Sequence, residues 1–315
     1  MPLPAYFSLV EIKTKAASIV PFLTGTFYAL YRFHSLRMLP LALFFLSMLA
    51  FDMFTTGLNN RQDHARAKKR EGFNFERHNA IVHYGLSGTT VDVTLGLLFA
   101  LAVAAGIGLA VVTDWLVLLM GAAAFIVGLL YSAGPMPVSR TPLGEAASGL
   151  AMGFGIPFLA CYIHLEPGTM FSISLNWNGM ELGLPWLPLL GIIMISIPGI
   201  CCIANIMLAN NLCDMEDDLA NHRYTLPVTA GKTWGMRLFH FLYLAAVLAI
   251  PCAMLIGAAP WLSLACLLVV PKVWRNLAAF RRIQTKKDTF GMSVQNFLLL
   301  CLPFALTLGI GSALR

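Results

Sequence analysis

Long apolar stretches separated by shorter polar connections dominate the chain. Windows of low polarity give nine stretches, most of them close to the twenty or so residues with which an α-helix crosses a bilayer. An outer-membrane barrel would instead show alternating segments of about ten residues. The pattern therefore predicts nine transmembrane helices, over residues 17–33, 40–58, 91–112, 115–133, 147–164, 187–211, 237–257, 260–274 and 294–313.

The composition supports a membrane protein. Of the 315 residues, 58% are hydrophobic and only 11% are charged, whereas charged residues make up about a quarter of an ordinary soluble domain. This apolar content excludes a disordered chain. The seven cysteines lie in apolar runs without metal-ligand or redox spacing, which excludes a disulfide-stapled secreted domain. We therefore expect an all-α integral membrane protein whose residues 1–315 form one transmembrane domain.

The distribution of Lys and Arg predicts how the helices are oriented. With the N-terminus in the cytoplasm, 18 of the 21 basic residues fall in cytoplasmic segments, leaving Arg32, Arg37 and Arg315 outside. Because basic residues favour the cytoplasmic side, we expect the N-terminus inside and the C-terminus outside the plasma membrane. The first ten residues lack a basic leader, so no cleavable signal peptide is expected. The net charge of +6 thus reflects topology and predicts no nucleic-acid partner.

Two of the cytoplasmic connections are unusually long, and functional residues are expected there. They are residues 59–90, rich in Arg, Lys, His and Asn, and residues 211–235, which carry both acids and bases. A third long connection, residues 166–185, lies outside and holds only Glu166 and Glu181 as charges. It is predicted to form a cap.

Asn210, Asp214 and Asp218 follow the sixth predicted helix at intervals of four residues. On a continuous helix that turns about 100° per residue, they form one stripe. The helix ends there, so its dipole adds negative potential to that of the carboxylates. Oxygen ligands without His or Cys suit Mg²⁺ or Ca²⁺, and Mg²⁺ usually completes its shell with water and phosphate oxygens. The stripe predicts a divalent-cation site; the alternative is a solvated acidic helix end.

A weaker copy of this spacing follows the second predicted helix, where Asn59 and Asp63 are four residues apart. If the helix continues that far, Asp52 and Thr56 lie on the same face. A carboxylate within the membrane costs roughly 2.5–3.5 kcal/mol on insertion scales, so Asp52 is either a functional residue or an acid satisfied by a neighbouring hydroxyl. Two acidic helix ends at one membrane face suggest an internal duplication around one polar cavity open to the cytoplasmic side.

Basic residues accompany both acidic segments. Carboxylates for a metal and cations for phosphate oxygens together predict a diphosphate that is held through Mg²⁺ and clamped by Arg or Lys. Arg223 is the strongest candidate for the clamp, because it lies just beyond the acidic stripe. For the others, a solvated face that sets topology is the alternative. These others are Arg61, Arg66, Lys68, Lys69 and Arg70.

The loop of residues 131–145 is interrupted by Gly and Pro. Irregular backbone at membrane depth is allowed only where it faces protein or a cavity, so this central loop is expected to line the site. Arg140 could meet the diphosphate or a carboxylate of the second substrate. Glu145, at the start of the fifth helix, is expected to complement the helix dipole.

Several of these segments resemble the UbiA-type intramembrane prenyltransferases, and more narrowly the 1,4-dihydroxy-2-naphthoate prenyltransferases of menaquinone synthesis. Residues 210–218 and 221–227 resemble the second aspartate motif of the family, residues 10–15 its N-terminal stretch, and residues 131–145 its central cytoplasmic loop. The likeness covers most of the chain. It implies nine helices around a central cavity, with both acidic motifs at the cytoplasmic face.

The first acidic motif departs from the superfamily pattern N-D-x-x-D-x-x-x-D. Asn60 stands at the first Asp position and Ala67 at the last, so that only Asn59 and Asp63 match. The departure puts a complete second metal site in question. Asn60 still offers a carbonyl oxygen, and Asp52 could compensate from a deeper turn.

The resemblance also implies a reaction. An allylic diphosphate ionises when Mg²⁺ and cationic side chains stabilise the departing diphosphate, and an electron-rich aromatic ring then attacks the carbocation. Tyr131 is the preferred aromatic side chain for stabilising that cation. The implied catalytic residues are Asp63, Asp214, Asp218 and Tyr131; the implied metal ligands are Asn59, Asp63, Asn210, Asp214 and Asp218; the implied substrate-binding residues are Lys13, Asp52, Asn60, Arg66, Arg140 and Arg223.

We therefore expect an Mg²⁺-dependent enzyme that transfers a polyprenyl chain to 1,4-dihydroxy-2-naphthoate with loss of its carboxylate. Other aromatic or haem acceptors stay open, and neither chain length nor oligomeric state is predicted. The competing class is an ion-coupled secondary transporter, which Asp52 and Asp92 would serve, although the polar residues cluster at one face instead of the midplane. A phospholipid-type phosphotransferase is disfavoured, because the D-G-x-x-A-R opening is absent.

Overall fold

A computed structural model of the chain describes residues 1–66, 79–170, 172–176 and 179–314, and helices make up most of them. In chain order the helices are α1 (Leu3–Leu9), α2 (Ala16–Phe33), α3 (Met38–Arg66), α4 (Ala80–His83), α5 (Gly88–Val112), α6 (Trp115–Ser132), α7 (Gly144–Leu150), α8 (Ile156–Tyr162), α9 (Trp186–Cys213), α10 (Met215–Ala220), α11 (Leu226–Ala230), α12 (Lys232–Leu255), α13 (Val270–Arg282) and α14 (Phe290–Ala313). Short 3₁₀ turns cover Ile12–Lys15, Val138–Arg140 and Trp261–Val269, and a π-helical turn, Ala151–Gly155, joins α7 to α8.

Eight helical segments in the described part of the chain are long and apolar enough to cross a membrane. They correspond to the predicted spans except the first, residues 17–33. That stretch is helix α2, which packs against α14 and α8 inside the bundle. It is less apolar than the other eight because it carries Arg32, two Thr and two Tyr. The predicted all-α membrane architecture is confirmed, with nine long helical segments when α2 is included.

Two helices extend beyond their predicted ends. Helix α3 continues to Arg66, and α13 to Arg282, so both carry polar residues past the apolar stretch that revealed them. The persistence of α3 keeps Asp52 and Asp63 on one helix. In the predicted connection 211–235, the chain forms the two short helices α10 and α11 before α12 begins at Lys232.

The predicted cap between residues 166 and 185 contains a β-hairpin. Strands β1 (Ser172–Asn176) and β2 (Gly179–Gly183) pair antiparallel, with Ser172 opposite Gly183 and Asn176 opposite Gly179. The all-α expectation did not include this strand pair. Polar or small residues alternate with Ile, Leu and Met along both strands, so the strands contain no continuous apolar stretch that hydropathy could detect.

Glycines set how closely the helices of the bundle approach one another. A Cβ on Gly25 of α2 would overlap the backbone of Pro157 at the start of α8, and one on Gly153 in the π-helical turn would overlap the backbone of Ile200 in α9. Small residues at such positions let two membrane helices pack backbone to backbone. Gly25 and Gly153 thus let α2 and α9 pack closely against the α7–α8 segment. The first residues of that segment adjoin the polar end of the bundle.

Candidate functional site

The two acidic segments meet at one end of the bundle, as expected from their predicted positions at one membrane face. Arg223, in the loop between α10 and α11, joins them: its Nη1 lies 3.7 Å from Asp63 Oδ2, and its Nε lies 3.2 Å from Asp218 Oδ1. Arg223 is only 16% exposed. The guanidinium therefore bridges a carboxylate on α3 and a carboxylate on α10.

The central loop contributes a second guanidinium to this cluster. Arg140 donates a hydrogen bond from Nη2 to Asp63 Oδ1 at 3.2 Å. Its backbone oxygen accepts a hydrogen bond from Tyr224 N at 3.0 Å, which ties the central loop to the residue after Arg223. Asn59 donates from Nδ2 to the other oxygen of Asp63 at 3.4 Å. The predicted residues Asn59, Asp63 and Arg140 thus lie together.

The local backbone explains why Arg223 turns back towards the acids. His222 adopts the left-handed conformation, with φ of 53°, directly after α10. Arg223 N then donates to Asp218 O at 2.8 Å. A left-handed residue followed by a backward backbone hydrogen bond is a common way to end a helix. This closure places the Arg223 side chain beside the carboxylate of the same short helix.

Asp214 lies between two helices instead of within one. Helix α9 ends at Cys213 and α10 begins at Met215, with Asp214 at φ −107° and ψ 10°. The continuous helix assumed for the stripe of Asn210, Asp214 and Asp218 is therefore wrong at this residue. Asp214 Oδ2 lies 2.6 Å from Lys286 Nζ, which the connection between α13 and α14 supplies.

Burial and charge set the electrostatics of the cluster. Burial raises the pKa of Asp218 to about 6; Asp214 adds to the rise, and Arg223 and a hydrogen bond from Thr225 Oγ1 at 3.2 Å oppose it. Burial by itself would lower the pKa of Arg223, but Asp63, Asp218 and Asp214 together raise it above its ordinary value. The cluster therefore stabilises the charged form of Arg223. It stabilises the charged form of Asp218, its most buried carboxylate, less well.

Each of the three acids is paired with a cation, so a metal ion would have to compete with these cations for the carboxylates. Within the described residues, no three Asp, Glu, His or Cys side chains converge as a ready-made ion site. The donors near one another are carboxylate and amide oxygens of Asn59, Asp63, Asp214 and Asp218. Mg²⁺ typically takes one or two carboxylates and completes its shell with water and substrate phosphates. The donor set fits an Mg²⁺ ion that arrives with a phosphorylated substrate.

Two more polar groups lie beside the acidic cluster. Glu145, in the first turn of α7, is 3% exposed and accepts a hydrogen bond from Asn211 Nδ2 at 2.8 Å, while its Oε2 has no hydrogen-bond partner. Its position agrees with the predicted dipole role, but the bond to α9 was not foreseen. Tyr131, at the end of α6, donates from its hydroxyl to Met207 Sδ at 3.3 Å and interacts electrostatically with Arg223.

Asp52 lies deeper on α3 and is ion-paired. Lys15 Nζ is 2.7 Å from Asp52 Oδ1 and donates to Thr56 Oγ1 at 2.7 Å, and Ser18 Oγ donates to Asp52 Oδ2 at 2.6 Å. Lys15 is 2% exposed. The alternative of an acid satisfied by a neighbouring hydroxyl is therefore partly right, but a buried lysine is its main partner.

Other predicted substrate-binding residues have partners away from the acids. Asn60 donates from Nδ2 to Leu9 O at 3.1 Å and to Glu11 Oε1 at 3.2 Å, which anchors the N-terminal segment. Arg66 donates to Gly134 O at 2.6 Å. Lys13 is exposed. Among the remaining predicted residues, Asn210 lies at the end of α9 next to Asn211, Arg61 pairs with Asp92, and Lys68, Lys69, Arg70 and Ala67 lie outside the described residues.

Sequence reasoning missed Lys286, Lys15 and Thr225 as members of the site. Lys286 belongs to a segment with six basic residues that was predicted to be cytoplasmic, and the positive-inside rule accounted for them without a specific role. Lys15 lies two residues from Lys13, and only the burial of its side chain tells the two apart. The sequence does point to Thr225, because it lies two residues after Arg223 in the segment 221–227, which resembles the family motif.

Known proteins resemble this chain in sequence, and they belong to one family. The model of the UbiA prenyltransferase family matches residues 18–302. The chain is 28% identical over 276 residues to the 1,4-dihydroxy-2-naphthoate octaprenyltransferase of Bacillus subtilis (strain 168), a match that covers 87% of this chain and 81% of that protein.

Solved structures share the fold. A UbiA homologue from Archaeoglobus fulgidus bound to GPP and Mg²⁺ superposes with a TM-score of 0.67 at 15% identity, covering 98% of this chain and 99% of that one. The apo structure of a UbiA homologue from Aeropyrum pernix K1 gives 0.66 at 16% identity, covering 94% and 98%. At these identities the likeness supports the bundle architecture.

Proposed function

Because the chain belongs to the UbiA prenyltransferase family, we propose that it transfers a polyprenyl chain from a prenyl diphosphate to an aromatic acceptor with the help of Mg²⁺. The acceptor that we propose is 1,4-dihydroxy-2-naphthoate, which loses its carboxylate as CO₂ in the reaction. The product class is a precursor of menaquinone.

One observation carries this proposal. At one end of the bundle, the carboxylates of Asp63, Asp214 and Asp218 are interleaved with the cations of Arg140, Arg223 and Lys286. A diphosphate that travels with Mg²⁺ needs both kinds of group, because the metal takes carboxylate oxygens and the phosphate oxygens take guanidinium and ammonium donors. An ordinary solvated surface would not bury most of these side chains.

We assign the carboxylates and amides to the metal. Asp63, Asp214 and Asp218, with Asn59 and Asn210, would hold Mg²⁺, which when bound neutralises charge on the diphosphate and makes it a better leaving group. Arg140, Arg223 and Lys286 would then bind the phosphate oxygens that face away from the metal. These cations stabilise the negative charge that grows as the bond between the allylic carbon and the diphosphate oxygen breaks.

The residues on the bundle side of the cluster would protect and orient the organic part of the reaction. The ring of Tyr131 is available to stabilise an allylic cation by cation–π attraction. Asp52 lies on the deeper side, where its ion pair with Lys15 would support the part of α3 that carries Asn59 and Asp63. Apolar helices around the site exclude the water that would quench the cation.

The choice of acceptor has its support in the Bacillus subtilis relative, an octaprenyltransferase of 1,4-dihydroxy-2-naphthoate by name. An electron-rich aromatic ring is the chemical requirement for attack on an allylic cation, and such a dihydroxy ring meets it. We place the enzyme in the plasma membrane with the N-terminus and the acidic cluster at the cytoplasmic side, because basic residues concentrate at that end.

The contacts of two acids disfavour the transporter alternative. Asp52 is neutralised by Lys15, and Asp92 pairs with Arg61 at 3.1 Å on an exposed surface. An acid that binds Na⁺ or a proton for coupled transport must change its charge or partner near the membrane midplane. Neither residue combines that position with a free carboxylate.

The test is a reaction with purified protein in detergent, a prenyl diphosphate and one acceptor at a time. We expect diphosphate release only when Mg²⁺ and 1,4-dihydroxy-2-naphthoate are both present, with a product whose mass equals the prenylated, decarboxylated ring. A product only with a different aromatic ring or with haem would change the acceptor. Failure to bind prenyl diphosphate in the presence of Mg²⁺ would overturn the whole proposal.

A further inference from the structure

A groove on the outer surface of the bundle, away from the acidic cluster, has no part in the proposed reaction. It lies between α12 and α13 and has a volume of about 610 Å³. We call it the α12–α13 groove, and its lining residues are His240, Trp274, Leu277, Ala278, Arg281 and Arg282. None of these belongs to the cluster of acids and cations described above.

The inner part of the groove is apolar. Trp274 is 40% exposed and large, and Leu277 and Ala278 continue the apolar surface along α13. Trp274, Ala278 and Arg281 are spaced four and three residues apart, so they follow one stripe of the helix. In a bilayer, an apolar groove on the outside of a helix bundle faces lipid chains, and an acyl chain is the natural occupant of its inner part.

The outer part of the groove is positively charged. Arg281 and Arg282 end α13, and both side chains are exposed. Among the described residues, neither guanidinium has a carboxylate within salt-bridge distance, unlike Arg61, Arg140 and Arg223. Two adjacent guanidinium groups that lack an internal counter-charge offer a site for an anion from outside the protein.

The two parts are spaced like a lipid at the membrane surface. Trp274 and Arg281 are seven residues apart, about 10 Å along a helix. Trp favours the membrane interface, and basic residues between transmembrane helices bind anionic head groups. The charged part lies at the same end of the bundle as the acidic cluster, since Lys286, shortly after α13, reaches Asp214.

We propose that the α12–α13 groove binds one anionic phospholipid from the leaflet on the side of the acidic cluster. The phosphate lies against Arg281 and Arg282, and one acyl chain follows Trp274, Leu277 and Ala278 into the membrane. His240, whose Nδ1 donates to Met236 O at 2.7 Å, lines the groove on the α12 side. A zwitterionic phospholipid leaves the two guanidinium groups without net compensation and binds more weakly.

The experiment uses the full-length protein, delipidated in a neutral detergent, with phosphatidylglycerol or phosphatidylcholine as the probe. The test variant is Arg281→Gln with Arg282→Gln. The matched control is Lys272→Gln with Arg275→Gln, which removes the same charge from exposed positions of the same helix outside the groove. Native mass spectrometry counts retained lipids, and thermal unfolding reports the stabilisation that a bound lipid confers.

We expect wild type and control to retain one phosphatidylglycerol at least tenfold more strongly than phosphatidylcholine, since one lost charged contact of ordinary strength already changes affinity by about tenfold. The test variant should lose this preference. An equal preference in test variant and wild type, or an equal loss in the control, would overturn the proposal. Displacement of the lipid by prenyl diphosphate without Mg²⁺ would also overturn it, because the groove would then hold substrate.

A second measurement covers the case in which the double variant does not fold. In wild type, phosphatidylglycerol with brominated acyl chains should quench the fluorescence of Trp274 more than brominated phosphatidylcholine does. The Trp274→Phe variant identifies which part of the signal comes from this residue. Equal quenching by the two lipids would contradict the proposal, whatever the outcome for prenyl transfer.

Discussion

At the scale of single residues, the site is defined by which acid has which cation. Asp214 and Asp218 come from consecutive turns of the chain, yet their partners come from different elements: Lys286 after α13 and Arg223 before α11. Glu216, on the same short helix, is exposed. The acidic residues of α10 and of the position before it therefore differ in burial and partner, although they look alike in the sequence.

This difference predicts unequal effects of charge removal. Asp214→Asn and Asp218→Asn should each lower the rate of prenyl transfer by at least a hundredfold, because each removes a ligand charge for the metal–diphosphate complex. Glu216→Gln, the matched control, should keep the wild-type rate. The measurement is diphosphate release by purified variants whose gel-filtration profiles match wild type. Equal activity of the Asp218→Asn and Glu216→Gln variants would contradict the assignment.

The buried pair of Lys15 and Asp52 gives a prediction about stability. Asp52→Asn or Lys15→Met alone leaves one charge buried without its partner, which costs about 3–5 kcal/mol in proteins. The double variant should therefore be less destabilised than the sum of the single variants. Denaturant or thermal unfolding of the four proteins in one detergent measures this cycle. Strict additivity would mean that the two charges do not depend on each other.

At the scale of secondary structure, hydropathy located the helices but not all of their ends. The polar continuation of α3 from residue 59 to residue 66 has no apolar signal, and contacts elsewhere in the fold, such as Asn60 to Leu9 and Arg66 to Gly134, support it. The break between α9 and α10 at Asp214 is also a local feature, and hydrophobic periodicity does not predict it. The predicted topology thus placed both acidic segments at one end of the bundle, but helix periodicity did not predict their exact backbone.

Packing between helices gives a prediction at this scale. Gly25→Ala should destabilise the protein by about 1–3 kcal/mol, because the added methyl group overlaps the backbone of Pro157 and forces α2 away from α8. Gly96→Ala on α5 is the control, since nothing lies within 4 Å of the added Cβ. Thermal unfolding in detergent should show a lower midpoint for the first variant and an unchanged or higher one for the second. A neutral Gly25→Ala would argue against this close approach.

At the scale of the whole molecule, the two ends of the bundle differ in character. One end carries the acidic cluster and most of the basic residues that the structure describes; the opposite end carries the hairpin of β1 and β2. The sequence predicted this division from charge alone. It could not predict the contacts between Lys286 and Asp214 or between Lys15 and Asp52, because residues so far apart in the chain are brought together only by helix packing.

The proposed orientation predicts which end a membrane-impermeant thiol reagent reaches. In intact cells, Glu166→Cys should be labelled and Glu216→Cys should be labelled only after permeabilisation, since both positions are exposed but lie at opposite ends. The parent protein is the control for its own cysteines, of which Cys252 is exposed and Cys213 partly exposed. The reverse labelling pattern would invert the proposed topology.

The pairing of three acids with three cations has a consequence for how a substrate is taken up. The three carboxylates and three cations of the cluster sum to no net charge, so the resting site needs no ions from solution to balance it. A magnesium diphosphate that binds there would therefore meet a site without net charge. In the proposed reaction it would exchange partners with the ion pairs of the site: the metal would take the carboxylates, and the phosphates would take the basic groups. Because these ion pairs must open before either ligand can bind, the metal and the diphosphate would each depend on the other to bind.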